Sequence, residues 1–270
     1  MDPKRVVVLD TAPLDAALAL DVQPVGTTIY RDFPPYLEET ANEITLLGDP
    51  NQPDLEAILS LKPDLILGSK LGAEKLYQRL SQIAPTVFTE GSGRVGEGEW
   101  QENFRLYAEA LGQTDQADQL IQRYQQRVQQ LQAIIGQPQV LDISVLVISS
   151  ERVGTYTTGS FSGSILQDVG FSRTAAQDVT RRFALQLSRE ALDRLDGDYI
   201  FLIYSTYQSG GVQKKEFVAD PIWSQLKAVQ QEHICEVAGD VWIAGRSILA
   251  ANQILTDVES CLSPDQSGSS

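Results

Sequence analysis

The 270-residue chain is long enough for one large or two medium domains, and with 42% apolar residues it reads as a folded protein with a sizeable core. Its 36 acids against 21 bases leave a net charge of -15, which disfavours nucleic acid and anionic lipid as partners. No apolar run approaches the roughly 18–20 residues of a membrane span, so the chain is expected to be soluble.

The first segment alternates strands and helices. Arg5-Val6-Val7-Val8-Leu9 is an all-apolar run of the kind buried on both faces of a parallel sheet. A loop at Asp10-Thr11-Ala12 then leads to a helix over 13–20, with Pro13 in its first turn. Val25-Gly26-Thr27-Thr28 predicts a second strand. A helix-to-strand unit follows: Glu56 heads a helical turn, Ile58, Leu59 and Leu61 supply its apolar face, and Asp64 precedes the strand Leu65-Ile66-Leu67. Residues 71–83 read as a helix and Thr86-Val87-Phe88 as a strand. Such alternation predicts an α/β lobe on a mostly parallel sheet.

The longest helical pattern comes next. Ala117, Leu120, Ile121, Tyr124, Val128, Leu131 and Ile135 recur at three- and four-residue steps, Thr114 can cap the start, and Gly136 with Pro138 ends it. About twenty residues at about 1.5 Å each make a rod of about 30 Å. As the tie between two lobes, such a rod predicts that closure on a ligand is a small tilt.

The second half repeats the alternation. Strands are predicted at 144–148, 199–204 and 234–237 and helices at 161–169, 221–229 and 246–261, ahead of a polar tail over 263–270. The strand at 199–204 is preceded by a second copy of the helix-to-strand unit, with Glu190 matching Glu56 and Asp198 matching Asp64. The repeat points to two related lobes with a ligand between them. The expected fold is therefore α/β: two Rossmann-like lobes with mostly parallel sheets, joined by one long α-helix, with the ligand cleft between the lobes. The expected division is an N-terminal lobe over 1–112, a linking helix over 113–137, a C-terminal lobe over 138–262 and a flexible tail.

Cys235 and Cys261 fit no zinc or iron-sulfur spacing; they either pair, fastening the closing helix to a strand, or stand as separate thiols. The one histidine, His233, heads a strand and reads as structural. Neither a protein-built metal site nor a Ser-His-Asp triad can be assembled around it. The glycine-rich stretch 91–96 lacks the Lys-Ser/Thr of a P-loop. No catalytic residue, metal ligand or cofactor is expected.

Ligands of open α/β sheets collect at the carboxyl ends of the strands. The loops expected there combine arginines with aromatics: Tyr30-Arg31-Asp32-Phe33, Ser69-Lys70, residues 90–94, residues 152–156, Arg181-Arg182-Phe183, residues 204–207 and residues 242–246. Guanidinium groups hold carboxylates bidentately and aromatic faces pack the apolar remainder of a ligand, which suits a bulky anionic chelate. Arg94, Arg181, Arg182 and Arg246 are the candidate clamps, with Tyr156, Tyr204, Tyr207 and Trp242 as walls.

Several ordered segments carry a resemblance. Arg5-Val6-Val7-Val8-Leu9, Leu61-Lys62-Pro63-Asp64-Leu65-Ile66, Ile83-Ala84-Pro85-Thr86-Val87, Phe161-Ser162-Gly163-Ser164-Ile165-Leu166, Ser188-Arg189-Glu190-Ala191-Leu192 and Asp220-Pro221-Ile222-Trp223 are among them. They resemble the substrate-binding proteins of bacterial ABC importers for ferric siderophores, ferric citrate and cobalamin, most closely the ferric citrate and hydroxamate branch. The resemblance implies a monomer exported to the periplasm or cell surface, its signal segment absent from this chain, with a lipid anchor as one form. It also implies a permease and its ATPase as partners, and an iron(III) siderophore or ferric citrate that brings its own metal ligands. In such proteins a glutamate on each lobe docks onto permease arginines, and the matching positions are Glu56 and Glu190. The family's Trp followed four residues on by Arg is matched by Trp242 and Arg246. A basic cluster of some siderophore binders is reduced here to Lys70. Heme and cobalamin are the alternative cargoes, heme calling for an axial tyrosine such as Tyr156, Tyr204 or Tyr207; an α/β enzyme or tetrapyrrole chelatase is a more distant reading.

Overall fold

The computed structural model describes residues 3–30, 32–39, 43–90, 99–148, 153–204 and 217–262. The chain divides into two compact units, one of Met1–Ser92, Gly98–Tyr124 and Ala244–Ala251, the other of Gly93–Glu97, Gln125–Ile243 and Asn252–Ser270.

The first unit runs β1 (Val6–Leu9), α1 (Thr11–Ala19), β2 (Gly26–Thr28), β3 (Thr45–Leu46), a hairpin of β4 (Gly48–Asp49) and β5 (Gln52–Pro53), α2 (Leu55–Ser60), β6 (Leu65–Ser69), α3 (Lys70–Ala73), α4 (Tyr77–Ser81), β7 (Thr86–Thr89) and α5 (Glu99–Leu111). Its five-stranded sheet has the order β3-β2-β1-β6-β7, parallel throughout. β1 is central, with Val7 between Gly26 and Ile66, and all four of its residues are buried, as the apolar run predicts. No loop separates β1 from α1: the Asp10 carboxylate accepts from Thr11 N, so the helix starts at once. The helix expected over 71–83 is broken into α3, a 3-10 turn at Glu74–Leu76 and α4. Gly72, a poor helix former, sits in the first piece, against the Pro50 carbonyl. Val7, Leu9, Leu47, Ile58, Ile66 and Leu80 pack into one core.

α6 (Thr114–Ile135) matches the predicted rod and terminates on Gly136 at φ 83. The unit boundary falls within it, after Tyr124. The second unit continues with β8 (Asp142–Ile148), β9 (Val153–Tyr156), α7 (Phe161–Val169), β10 (Ser172–Arg173), β11 (Ala184–Leu187), β12 (Tyr199–Tyr204) and β13 (Ile234–Ala238). The sheet order is β11-β9-β8-β12-β13, with β10 also on β8. β8, β12, β13 and β10 pair in parallel, whereas β9 runs antiparallel to both β8 and β11. Residues 153–156, read as a loop from sequence, form a strand whose Val153 and Thr155 point inward. The connection from β8 is too short for a crossover helix, so the strand returns as a hairpin.

The second repeat copy forms a 3-10 segment, Arg189–Leu195, rather than an α-helical turn. In the first copy Asp54 caps two backbone groups, Glu56 N at 3.0 Å and Ala57 N at 2.9 Å, while Ser188 makes no such cap and Ala191 leaves helical geometry. The helix expected over 221–229 is likewise a 3-10 turn at Trp223–Gln225 and a short helix at Lys227–Gln230. Leu146, Leu195, Ile200, Leu202 and Trp223 form the second core. The closing helix, Ile248–Leu262, is tied to β13 by the disulfide Cys235–Cys261, the first of the two alternatives its cysteines left open.

Candidate functional site

In the first unit, β1, β2, β6 and β7 deliver the residues at and just after their carboxyl ends to one edge of the parallel sheet: Asp10, Tyr30, Ser69 with Lys70, and Thr89 with Glu90. Arg246 reaches this edge, its Nη2 donating to Asp10 Oδ2 at 2.6 Å. Both side chains are buried, 8% and 2% exposed. Ser69 Oγ donates to the same carboxylate oxygen at 3.2 Å, and Arg246 Nε donates to the Ala244 carbonyl at 3.2 Å. The two partners are also backbone outliers, Asp10 at φ 132 and Arg246 at φ 52. Conformations of this kind cost about 1–3 kcal/mol each and persist where the surroundings demand them, commonly at functional sites.

Burial opposes the Arg246 charge, and the Asp10 carboxylate more than offsets it, raising the guanidinium above its ordinary value. Burial and the Asp10 charge push the Tyr30 phenol up to about 12. Behind them the Tyr107 hydroxyl shares a 2.7 Å bond with Thr89 Oγ1 and donates to the Gly68 carbonyl at 3.0 Å. Lys70 is ion-paired with Glu90. The two cations that this edge shows among the described residues thus both carry a carboxylate partner.

Asp15, half a turn beyond the first turn of α1, caps the closing helix from outside. Its two oxygens accept from Leu249 N and Ala250 N, both at 2.9 Å, and Tyr36 Oη donates to it at 3.1 Å. Burial pushes this carboxyl up to about 7 against those hydrogen bonds. Two acids of the α1 region therefore hold Arg246 and the start of the closing helix.

In the second unit the carboxyl ends of β8, β12 and β13 are Ile148, Tyr204 and Ala238. Tyr156 lies elsewhere. Because β9 is antiparallel, with Leu146 opposite Thr155, its last residue points toward the amino end of β8, and Ala184 of β11 lies opposite it. Arg181 and Arg182, exposed just before β11, are carried to that same end. An all-parallel sheet would have put Tyr156 at the carboxyl edge, and the hairpin reverses it; Arg181 and Arg182 lie at the amino edge because they precede β11, which runs parallel to β8. The segment is firmly seated: Thr157 N donates to Phe183 O at 3.0 Å, Gly159 N donates to Val179 O at 3.1 Å, and a Cβ on Gly159 would come within 2.4 Å of Thr180 O.

Arg173 anchors this arrangement. Its Nε donates to Ile143 O at 2.8 Å, and its Nη2 donates to Tyr156 O at 2.7 Å and to Gln177 Oε1 at 2.6 Å. Burial lowers it to about 10, against the opposing charge of Asp178. Trp242 is fully buried, stacked on Phe201 at 4.6 Å and donating to Asp257 at 2.8 Å, so it packs the core of the second unit. It is assigned to the second unit and Arg246 to the first. His233 stacks on Tyr199 at 4.2 Å, a structural place. Arg94, Tyr207 and the side chain of Tyr204 lie outside the described residues, as does the expected tail. Glu56 and Glu190 are both exposed.

Sequence reasoning passed over Asp10, Asp15 and Arg173. Asp10 had a readable signal, a carboxylate placed directly after an all-apolar strand; Asp15 and Arg173 show none, since their partners are distant in sequence.

A family model described as periplasmic binding protein matches residues 6–240. A probable siderophore-binding lipoprotein of Bacillus subtilis, YfiY, is 34% identical, the match covering 96% of this chain and 82% of that protein. The achromobactin-binding periplasmic protein of Dickeya dadantii is 32% identical over 95% of this chain and 85% of its own length. Among solved structures, Staphylococcus aureus SirA complexed with staphyloferrin B superposes with a TM-score of 0.85 at 27% identity, covering 97% of this chain and 94% of that one.

Proposed function

Because this chain belongs to the periplasmic binding protein family, we propose that it is the solute-binding component of an ABC importer, capturing an iron(III) siderophore or ferric citrate and delivering it to a membrane permease driven by an ATPase. The observation that carries this reading is the near full-length similarity to proteins named as siderophore binders, at 34% and 32% identity. The protein carries its ligand and does not convert it. Iron arrives chelated, with no protein atom in its coordination shell.

The candidate contacts are Arg94 and Tyr207, which follow strands by sequence position, Tyr204, the last residue of β12, and Arg246, which lies at the carboxyl edge of the first sheet. Tyr156, Arg181, Arg182 and Trp242 are supported less by where they lie. Glu56 and Glu190 are the docking acids for the permease, and their exposure supports that role. An exported location is supported by the disulfide, which persists in oxidising compartments. No helix among the described residues is long and apolar enough to cross a membrane.

Isothermal titration with ferric citrate, ferric carboxylate and hydroxamate siderophores, heme and cobalamin tests the reading. Tight binding of at least one ferric chelate is expected. Binding confined to heme or cobalamin, or tight binding of unchelated iron, would overturn it.

A further inference from the structure

We infer that Asp10 is a specificity-determining residue of the chelate site: as the fixed counter-ion of Arg246 it keeps the first-unit edge near neutral and so limits how strongly a highly anionic chelate is preferred. The inference rests on the chelate-binding reading above. It deepens that reading by assigning a role to a residue that never needs to touch the ligand.

The geometry carries the argument. An arginine offered to a ligand's carboxylates presents its fork to the site, whereas Arg246 has committed Nη2 to Asp10 at 2.6 Å and Nε to its own turn at 3.2 Å. Asp10 is itself fixed: Thr11 N donates to Oδ1 at 2.7 Å and Ser69 Oγ donates to Oδ2 at 3.2 Å, so the carboxylate cannot swing away without exposing those donors. The pair is almost wholly buried, where opposite charges are weakly screened and each cancels the other's field at the edge beside it. The other cation at this edge, Lys70, is also paired with a carboxylate, Glu90, although at a solvent-exposed site. Both Asp10 and Arg246 have positive backbone angles, so the fold tolerates strain on both sides of this contact.

The consequence is a sign pattern across three variants. Asp10→Asn unmasks a positive charge, Arg246→Gln unmasks a negative one, and the double variant restores neutrality. Affinities are read by isothermal titration with ferric citrate, an anion, and with the ferric Desferal complex, a cation. Affinity for ferric citrate should rise at least about tenfold in Asp10→Asn, fall at least about tenfold in Arg246→Gln and, in the double variant, lie between those of the two single variants, because neutrality is restored while the Arg246 contact stays lost. The Desferal complex, where bound, should move in the opposite direction. The double variant guards against misfolding, because a destabilised Arg246→Gln would not regain affinity for ferric citrate when a second buried group is removed. Ferric citrate affinities that are equal in all four proteins, or that fall in both single variants and fall further in the double, overturn the inference while leaving the chelate reading intact. A parent protein that binds no ferric chelate overturns both.

Discussion

Asp64 and Asp198 perform the same task in the two units. Asp64 precedes β6 and accepts from the backbone N–H groups of Lys4 and Arg5, at 2.7 and 2.9 Å, at the start of β1. Asp198 precedes β12 and accepts from Asp142 N, at 2.8 Å, at the start of β8. Each aspartate's own N–H in turn donates to the neighbouring strand, to Arg5 O at 3.0 Å and to Asp142 O at 2.7 Å. The aspartate of the sequence repeat is thus a pin between the first strand of a unit and its parallel partner.

Removing the pin should weaken each unit. Asp198→Ala is expected to lower stability by about 1–2 kcal/mol and Asp64→Ala, on an exposed site, by about 1 kcal/mol or less. Urea denaturation of the two variants measures this. Burial works against the Asp198 charge, but Lys227 and the Asp142 N–H outweigh it and hold its carboxyl below the usual range. Its contribution should therefore be present above the unfolded carboxylate value and vanish as pH falls through the folded one.

Asp15 should act in the opposite sense. Its carboxyl, raised to about 7 by burial, binds a proton in the folded state at pH values where the unfolded chain has released it. Its contribution to stability is complete below about pH 4 and is lost as pH rises toward 7, at up to about 1.4 kcal/mol per pH unit. In Asp15→Asn that dependence should flatten between about pH 4 and 7. Denaturation midpoints across that range decide the matter, and an unchanged slope would show that Asp15 does not titrate there.

The exposed acids Glu56 and Glu190 are expected to serve delivery rather than capture. Reversing both to arginine should abolish chelate uptake by cells while leaving the affinity of the purified protein within about twofold, since rim charges away from a ligand contribute little. Uptake that survives the double reversal would remove the docking role.

Arg181 and Arg182, carried to the amino end of β8, should be dispensable for chelate affinity, changing it less than about twofold on replacement by alanine. Arg173→Leu should instead destabilise the protein by about 3 kcal/mol, because it removes a buried guanidinium that donates to two backbone carbonyls and to Gln177. A tenfold loss of chelate affinity in Arg181→Ala or Arg182→Ala would instead establish these residues as ligand contacts.

The disulfide encloses a separation of 26 residues, so replacing Cys235 and Cys261 together by serine should cost about 3 kcal/mol through loop-closure entropy. Chelate affinity should be retained in the folded fraction, which titration of the double variant after refolding would check.

What could be read directly from the chain was local. The apolar run of β1, the three- and four-residue period of α6 with its glycine stop, and the doubled aspartate unit are each encoded within about twenty residues, and each appears in the structure where periodicity and capping put it. Helix type was less legible: both copies of the repeated unit carry the same apolar spacing, and only the cap at Asp54 separates an α-helical turn from the 3-10 segment at Arg189–Leu195.

Tertiary structure decided what depends on partners distant in sequence. The direction of β9 follows from its pairing with β8, and it moves Tyr156 away from the edge that an all-parallel sheet would give it, while Arg181 and Arg182 sit at the amino end because they precede β11, a strand not read from sequence. Trp242 and Arg246 stand four residues apart, yet one is buried against Phe201 and the other is committed to Asp10, 236 positions away. Composition and period carry no information about such a contact, because a buried charge is stable only beside the one group that compensates it, and which group that is emerges when the chain has folded.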